Sequence, residues 1–127
     1  MDNELERLST NDKSFSRSRF LKFLGITIKN KKTGEVCNGL LTIDDTILHI
    51  KDGLLDNYAG TNGEPGPAVE YAGSHFEWWQ NGLLHRIGGP AVISEHGDWE
   101  EFWIHGELIL INTYGIIESP IGCSGRQ

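Results

Sequence analysis

The sequence of 127 residues has few cysteines and no long apolar run. Its two cysteines, Cys37 and Cys123, are too few for a disulfide-built scaffold and suit a reducing compartment. The longest unbroken apolar run, residues 108–111, has four residues, whereas a membrane helix needs about 20. The acidic first residues lack the apolar stretch of a secretory signal. We therefore expect a cytoplasmic protein that does not enter a membrane.

Basic residues are scarce in most of the chain. Residues 1–36 hold eight Lys and Arg against five Asp and Glu, whereas residues 37–127 hold three against thirteen, and the net charge is -7. An acidic body of this kind repels phosphate backbones, so we expect no direct binding of nucleic acid. It favours a protein partner with a basic surface, such as a nucleic-acid-binding complex. An acidic surface that only keeps the protein soluble is the alternative.

Glycine and tryptophan recur at a fixed interval in the second half of the chain. Gly82 and Gly106 lie 24 residues apart, and so do Trp79 and Trp103. Gly53 precedes Gly82 by 29 residues, a longer interval that we attribute to a loop insertion at 58–63. The spacing predicts three repeat-like units, at about 37–53, 53–82 and 82–106.

The units carry the signals of strands joined by tight turns. Asp52-Gly53 and Asn81-Gly82 stand between apolar runs, and Asn or Asp before Gly favours the primed turns of β-hairpins. Pro67 and Pro90 each follow a glycine and suit the start of a strand, where no ladder donor is needed. The fold class is therefore mainly β, a repeat-built antiparallel β-meander of seven to nine strands with a short N-terminal helix or tail.

Side chains of a strand alternate between its two faces, so we expect Trp79 and Trp103 to share one face. Residues 1–19 predict a polar tail with at most one short helix, and residues 20–127 predict a single β domain. Within that domain, 20–36 predicts a hairpin with a lysine-rich tip. Residues 108–111 and 114–117 predict a last strand pair.

Residues 79–93 read W-Q-N-G-L-L-H-R-I-G-G-P-A-V-I and resemble the W-x-N-G-x-x-H-R-x-x-G-P-A form of MORN-type variant repeats. The resemblance implies a phage or bacterial source and a structural scaffold that supplies no catalytic residues. In the preceding unit, Asp56-Asn57 takes the place of His85-Arg86. The residues assigned a structural role in the repeat are Gly53, Gly82, Gly106, Pro67, Pro90, His85, Arg86, Trp79 and Trp103.

No pattern in the sequence predicts catalysis, a metal or a cofactor. The five histidines lack the short spacing of zinc ligands, and the cysteines lie 86 residues apart. Ser94 has no Gly-x-Ser-x-Gly context, and 88–90 lacks the Lys and Ser or Thr of a phosphate loop. We expect His85 and Arg86 to link one hairpin to the next by hydrogen bonds. The sequence thus predicts a protein that is not an enzyme.

All four tryptophans lie within 26 residues and stand among acidic residues. Aromatic anchors within an acidic rim are typical of a partner-binding patch. A β core that buries most of the indoles is the alternative, and we expect two or three inside and one or two outside. The candidate partner-binding residues are Trp99, Asp98, Glu100, Glu101, Glu77 and Trp78.

The preferred hypothesis is a small acidic binding protein that inhibits a macromolecular partner by covering a basic surface. A phage counter-defence inhibitor of the anti-CRISPR type, acting in the host cytoplasm, combines the size, the acidic body and the resemblance. Two alternatives stay open: an antitoxin or immunity-type partner protein, and a binder of a small ligand or nucleotide in an aromatic pocket. A homodimer is left open as well.

Overall fold

The computed structural model describes residues 13–58, 64–94 and 97–113. They form antiparallel β-strands and two short 3-10 helices, Lys13–Phe15 and Leu21–Phe23. The strands are β1 (Gly39–Ile43), β2 (Thr46–Lys51), β3 (Leu54–Leu55), β4 (Val69–Tyr71), β5 (His75–Glu77), β6 (Trp79–Gln80), β7 (Leu83–Leu84), β8 (Val92–Ile93), β9 (Glu100–Ile104) and β10 (Glu107–Asn112). The predicted mainly β, antiparallel class is confirmed. No helix in these ranges has the length and hydrophobicity needed to cross a membrane.

Seven strands follow one path through the main sheet, in the order β1-β2-β4-β5-β8-β9-β10. The strand β2 pairs with β3 near Ile50 and with β4 near Leu48. Only Trp78 separates β5 from β6, and these strands pair with β8 and β7 respectively. The strand β2 thus carries its hairpin partner β3 at one end and the next strand of the sheet, β4, at the other.

Tight turns close the hairpins. The residues of Asp52-Gly53 have φ values of 52° and 82°, and those of Asn81-Gly82 have 52° and 79°. Two successive positive φ values define the primed turn, so the turns predicted at these dipeptides are confirmed. His105-Gly106 adopts nearly the same values, 46° and 80°.

The core lies on one face of the main sheet. In β9, Glu101 and Trp103 are buried while Glu100 and Phe102 are half-buried, as the two-residue period of a strand requires. Trp79 and Trp103 are 1% and 0% exposed and belong to the same buried cluster. Both indoles therefore lie in one core, although Trp79 is on β6 in a separate two-stranded sheet and Trp103 is on β9 in the main sheet.

The segment before β1 packs over this core instead of extending the sheet. The hairpin predicted for 20–36 is confirmed at its lysine-rich tip, where an isolated antiparallel bridge joins Lys29 to Val36 and the backbone N–H of Asn30 donates to the carbonyl of Glu35. The prediction is wrong at the start of the segment, because Leu21–Phe23 is a 3-10 helix. Phe20 and Phe23 are partly buried against this cluster, which removes apolar surface of their rings from water. The tail predicted for 1–19 is described only from residue 13, and 114–117 lies outside the described residues.

Candidate functional site

Two carboxylates lie in the interior of the acidic body. Glu77 on β5 and Glu101 on β9 are both 0% exposed, and each pairs across the sheet with Val92 of β8. Their predicted place on an exposed acidic rim is therefore corrected. The strand period turns them inward together with Trp79 and Trp103. A buried carboxylate is tolerated only where hydrogen-bond donors replace the water it has lost.

Four donors surround Glu101. Its Oε1 accepts hydrogen bonds from Ser16 Oγ at 2.7 Å and from Trp103 Nε1 at 2.9 Å. Its Oε2 accepts from the backbone N of Arg17 at 2.5 Å and from Trp99 Nε1 at 2.7 Å. The indoles fix the orientation of the carboxylate, which then holds both a hydroxyl and a backbone N–H of the N-terminal segment.

Glu77 has almost the same surroundings. Its Oε1 accepts from Ser18 Oγ at 2.8 Å and from Trp79 Nε1 at 3.0 Å. Its Oε2 accepts from the backbone N of Arg19 at 2.6 Å and is hydrogen-bonded to His75 Nε2 at 2.7 Å. His75 thus stands where Trp99 stands beside the other glutamate.

The residues Ser16–Arg19, which we call the strap, present serines to the body and arginines to its surface. The guanidinium of Arg17 lies 3.8 Å from the ring centroid of Trp99, and that of Arg19 lies 3.6 Å from the ring centroid of Tyr71. Cation–π contacts of this kind add to the attraction between the basic segment and the acidic body.

Sequence reasoning missed the strap. Two signals were present: the dipeptide Ser-Arg occurs twice in succession, and a glutamate stands two residues before a tryptophan in two units. The contacts themselves join residues that are far apart in the chain, 85 positions from Ser16 to Glu101 and 59 from Ser18 to Glu77. No local pattern encodes such a pairing.

The predicted linking role of His85 is confirmed. Its Nδ1 accepts a hydrogen bond from the backbone N–H of His105 at 2.9 Å, and the two rings stack with centroids 4.2 Å apart. Burial, and secondly the neighbouring His105, lowers the pKa of His85, which favours the neutral ring that this acceptor role requires. Arg86 instead acts locally: its Nη1 donates to the carbonyl of Pro90 at 3.0 Å.

Asp56 and Asn57 make the corresponding contacts in the preceding unit. Asp56 Oδ2 accepts from the backbone N–H of Asn81 at 2.8 Å, in the next hairpin turn. Asn57 Nδ2 donates to the carbonyl of Pro67 at 3.0 Å. The different side chains at the His85-Arg86 positions therefore keep the same hydrogen bonds, which agrees with the alignment of the two units.

The opposite face of the main sheet carries acidic and apolar side chains that are neither buried nor fully exposed. We call this surface the outer face, and one cross-strand row defines it: Ile47, Glu70, Phe76, Ile93 and Glu100. Phe102 follows two residues after Glu100 on β9 and is also half-buried. The row brings carboxylates and apolar side chains together on adjacent strands.

The six predicted partner-binding residues divide between the two faces. Glu77 and Glu101 are interior, and Trp99 is half-buried beside Glu101 and beneath Arg17. Glu100 belongs to the outer face, and Asp98 and Trp78 are half-buried. With two indoles inside and two partly exposed, the expected division of the tryptophans is confirmed.

Within residues 13–58, 64–94 and 97–113, no three His, Cys, Asp or Glu side chains are placed to hold a metal ion. Comparison of the chain with protein-family models, with curated proteins and with solved structures gave no match.

Proposed function

We propose that the protein is a non-enzymatic binding protein that inhibits a macromolecular partner, and that its outer face contacts a basic surface of that partner. The observation that carries the proposal is the outer-face row, in which Glu70 and Glu100 flank Phe76 and Ile93. Apolar anchors bounded by polar groups are the usual composition of a protein-binding surface.

Charge supports a basic partner. Residues 37–127 carry thirteen acidic and three basic side chains, so the body attracts cationic surfaces before contact. Salt screens this attraction over about 10 Å at 0.1 M ionic strength. We therefore expect the association rate to fall as salt is added.

The contacts of Arg86 within the protein favour arginine as the side chain that the partner contributes. Its guanidinium lies 3.8 Å from the ring centroid of Trp78. Burial lowers the pKa of Arg86, and the charge of Glu100 acts in the opposite direction. An arginine of a partner would find the same combination, an aromatic ring and a carboxylate, at Phe76 and Glu70 or at Phe102 and Glu100.

A counter-defence inhibitor carried by a phage is the class that we favour. A basic surface on a nucleic-acid-binding complex is commonly the surface that holds the phosphate backbone. A protein that covers it would compete with the nucleic acid without any chemical step. The host cytoplasm is the compartment in which such a partner would be met.

The test is capture of partners from host lysate by the immobilised protein, followed by mass spectrometry and affinity measurement with the purified partner. Glu70→Lys/Glu100→Lys should weaken binding about tenfold or more and reduce its salt dependence. Glu35→Lys/Glu64→Lys, which changes two exposed carboxylates outside the outer face, is the matched control and should bind nearly as the wild type does. Equal binding by both variants would contradict the proposal.

A further inference from the structure

We propose that the inner face of the sheet at Glu77 and Glu101, where the strap is bound, is a peptide-binding site that takes an extended Ser-Arg-Ser-Arg segment of a partner protein in place of the strap. The proposal concerns the inner face of the sheet and is independent of the outer face. It starts from the observation that two separate glutamates hold two successive Ser-Arg dipeptides in the same way.

Each glutamate makes a two-point contact with the segment. One carboxylate oxygen accepts the serine hydroxyl, and the other accepts the backbone N–H of the residue that follows. The tryptophan two residues further along the chain donates to the same carboxylate and fixes its orientation. A carboxylate held in this way is preorganised for a serine in an extended chain, and charge-assisted hydrogen bonds are the stronger kind.

On the inner face of the sheet, the position next to the two glutamates is apolar, and the N-terminal segment is apolar at the corresponding position too. Cross-strand pairing continues from Glu77 through Val69 to Leu48. Leu48 stands five residues before Gly53, and the two glutamates stand five residues before the equivalent turn glycines of the next two units. Phe20 follows Ser18 by two residues and packs against the buried cluster that contains Leu48. The order Ser, Ser, Phe in the segment therefore matches the order Glu, Glu, Leu in the sheet.

Leu48 also indicates that the fold does not need a carboxylate at this position. Burying a leucine there removes no charge from water. Each buried glutamate loses its hydration, and only hydrogen-bond donors of the protein compensate for that loss. Two glutamates in place of leucines are therefore explained by recognition of a segment that supplies hydroxyl and N–H donors at a two-residue period.

The way the strap is held allows exchange. The strap belongs to no strand of the sheet, and its two arginines contact the rings of Trp99 and Tyr71 at the surface of the body and not in its interior. Its hydrogen bonds to Glu77 and Glu101 can be made equally by the same sequence in another chain. The strap is tethered and so competes at a high effective concentration, which means that a partner segment binds tightly only after the strap is displaced.

The test uses the full chain and a labelled peptide with the sequence of residues 13–24, K-S-F-S-R-S-R-F-L-K-F-L, in fluorescence anisotropy. Ser16→Asp/Ser18→Asp should displace the strap, because each new carboxylate faces a buried glutamate. We expect this variant to bind the peptide about tenfold or more tightly than the wild type does. Thr42→Asp/Thr113→Asp adds the same charge at two exposed positions outside residues 13–24 and is the matched control, expected to bind as weakly as the wild type.

A peptide with alanine at both inward-facing serines, K-S-F-A-R-A-R-F-L-K-F-L, should bind the opened variant about tenfold more weakly. If the two aspartates unfold the chain, which near-ultraviolet circular dichroism of the tryptophans would show, Ser16→Ala/Ser18→Ala takes their place and should still bind more tightly than the wild type. The proposal is overturned if the folded opened variant binds no better than the control, or if both peptides bind equally. Loss of partner capture in Glu70→Lys/Glu100→Lys concerns the outer face only, so the two proposals fail separately.

Discussion

Glu77 and Glu101 occupy one cross-strand row on either side of Val92, and each accepts hydrogen bonds from a serine hydroxyl, from the following backbone N–H and from an indole. This relationship joins the basic N-terminal segment to the acidic body. It also means that Glu77 and Glu101, the buried acids among the described residues, serve the inside of the molecule, while the outer face keeps Glu70 and Glu100.

The substitution Glu101→Gln should lower the free energy of unfolding by about 2–4 kcal/mol. The NH2 group of the glutamine cannot accept a hydrogen bond, so it would face N–H or O–H groups that now donate to the carboxylate. The matched variant Glu100→Gln, one residue away on the half-exposed face, should change it by less than about 0.5 kcal/mol. Urea unfolding followed by tryptophan fluorescence measures both. Similar losses in the two variants would mean that Glu101 is not held as described.

The turn glycines Gly53 and Gly73 make a second matched pair. Both have positive φ, 82° and 72°, so alanine is strained at either position. A Cβ at Gly53 would lie 2.6 Å from Thr27 Cγ2 and 3.2 Å from the carbonyl O of Ile28, whereas a Cβ at Gly73 meets nothing within 4 Å. Gly53→Ala should therefore cost about 1 kcal/mol more than Gly73→Ala in thermal or urea unfolding. Equal costs would indicate that 27–28 does not pack on this turn.

The pH dependence of stability should contain a contribution from His85. Because burial lowers its pKa in the folded state, the unfolded chain takes up the proton first as pH falls below about 6.5. That contribution to stability is fully present above this pH and is lost as the pH falls toward the lowered pKa of the folded state. Below the folded pKa, His85 causes no further change in stability. Asparagine can accept the His105 N–H in place of Nδ1 but cannot be protonated.

The variant His85→Asn should therefore lose less stability than the wild type between about pH 7.5 and about pH 5.5. Urea unfolding at the two pH values gives the comparison, and His85→Leu, which also lacks the titration but offers no acceptor, separates the hydrogen bond from the charge. Equal losses of unfolding free energy in the wild type and in the asparagine variant would show that protonation of His85 is not linked to unfolding.

Local chemistry made the turns and the alternation of β9 predictable. Asp52-Gly53 and Asn81-Gly82 fix primed turns by their own conformational preferences, and the two-residue period separates Glu100 from Glu101 wherever they form a strand. The described residues form ten strands and not the seven to nine predicted, because breaks such as Trp78 divide continuous segments into strands of two or three residues.

The burial of Glu77 and Glu101 could not be predicted in the same way. Charged side chains are almost never fully buried unless they are paired, so an exposed rim is the ordinary expectation for both. What reverses it is the strap, whose serines reach the glutamates from 59 and 85 positions away. The hairpin expected at 20–36 forms only around its lysine-rich tip for a related reason, since Phe20 and Phe23 at its start pack on the core.

A double-mutant cycle between the strap and the glutamates tests the pairing of Ser16 with Glu101 and of Ser18 with Glu77 most directly. Unfolding free energies are measured for Ser16→Ala, Ser18→Ala, Glu77→Gln and Glu101→Gln and for all four serine–glutamate combinations. The matched pairs should show interaction energies of about 1 kcal/mol, and the crossed pairs should be additive within about 0.5 kcal/mol. Matched and crossed pairs with the same interaction energy would contradict the assignment of one serine to each glutamate.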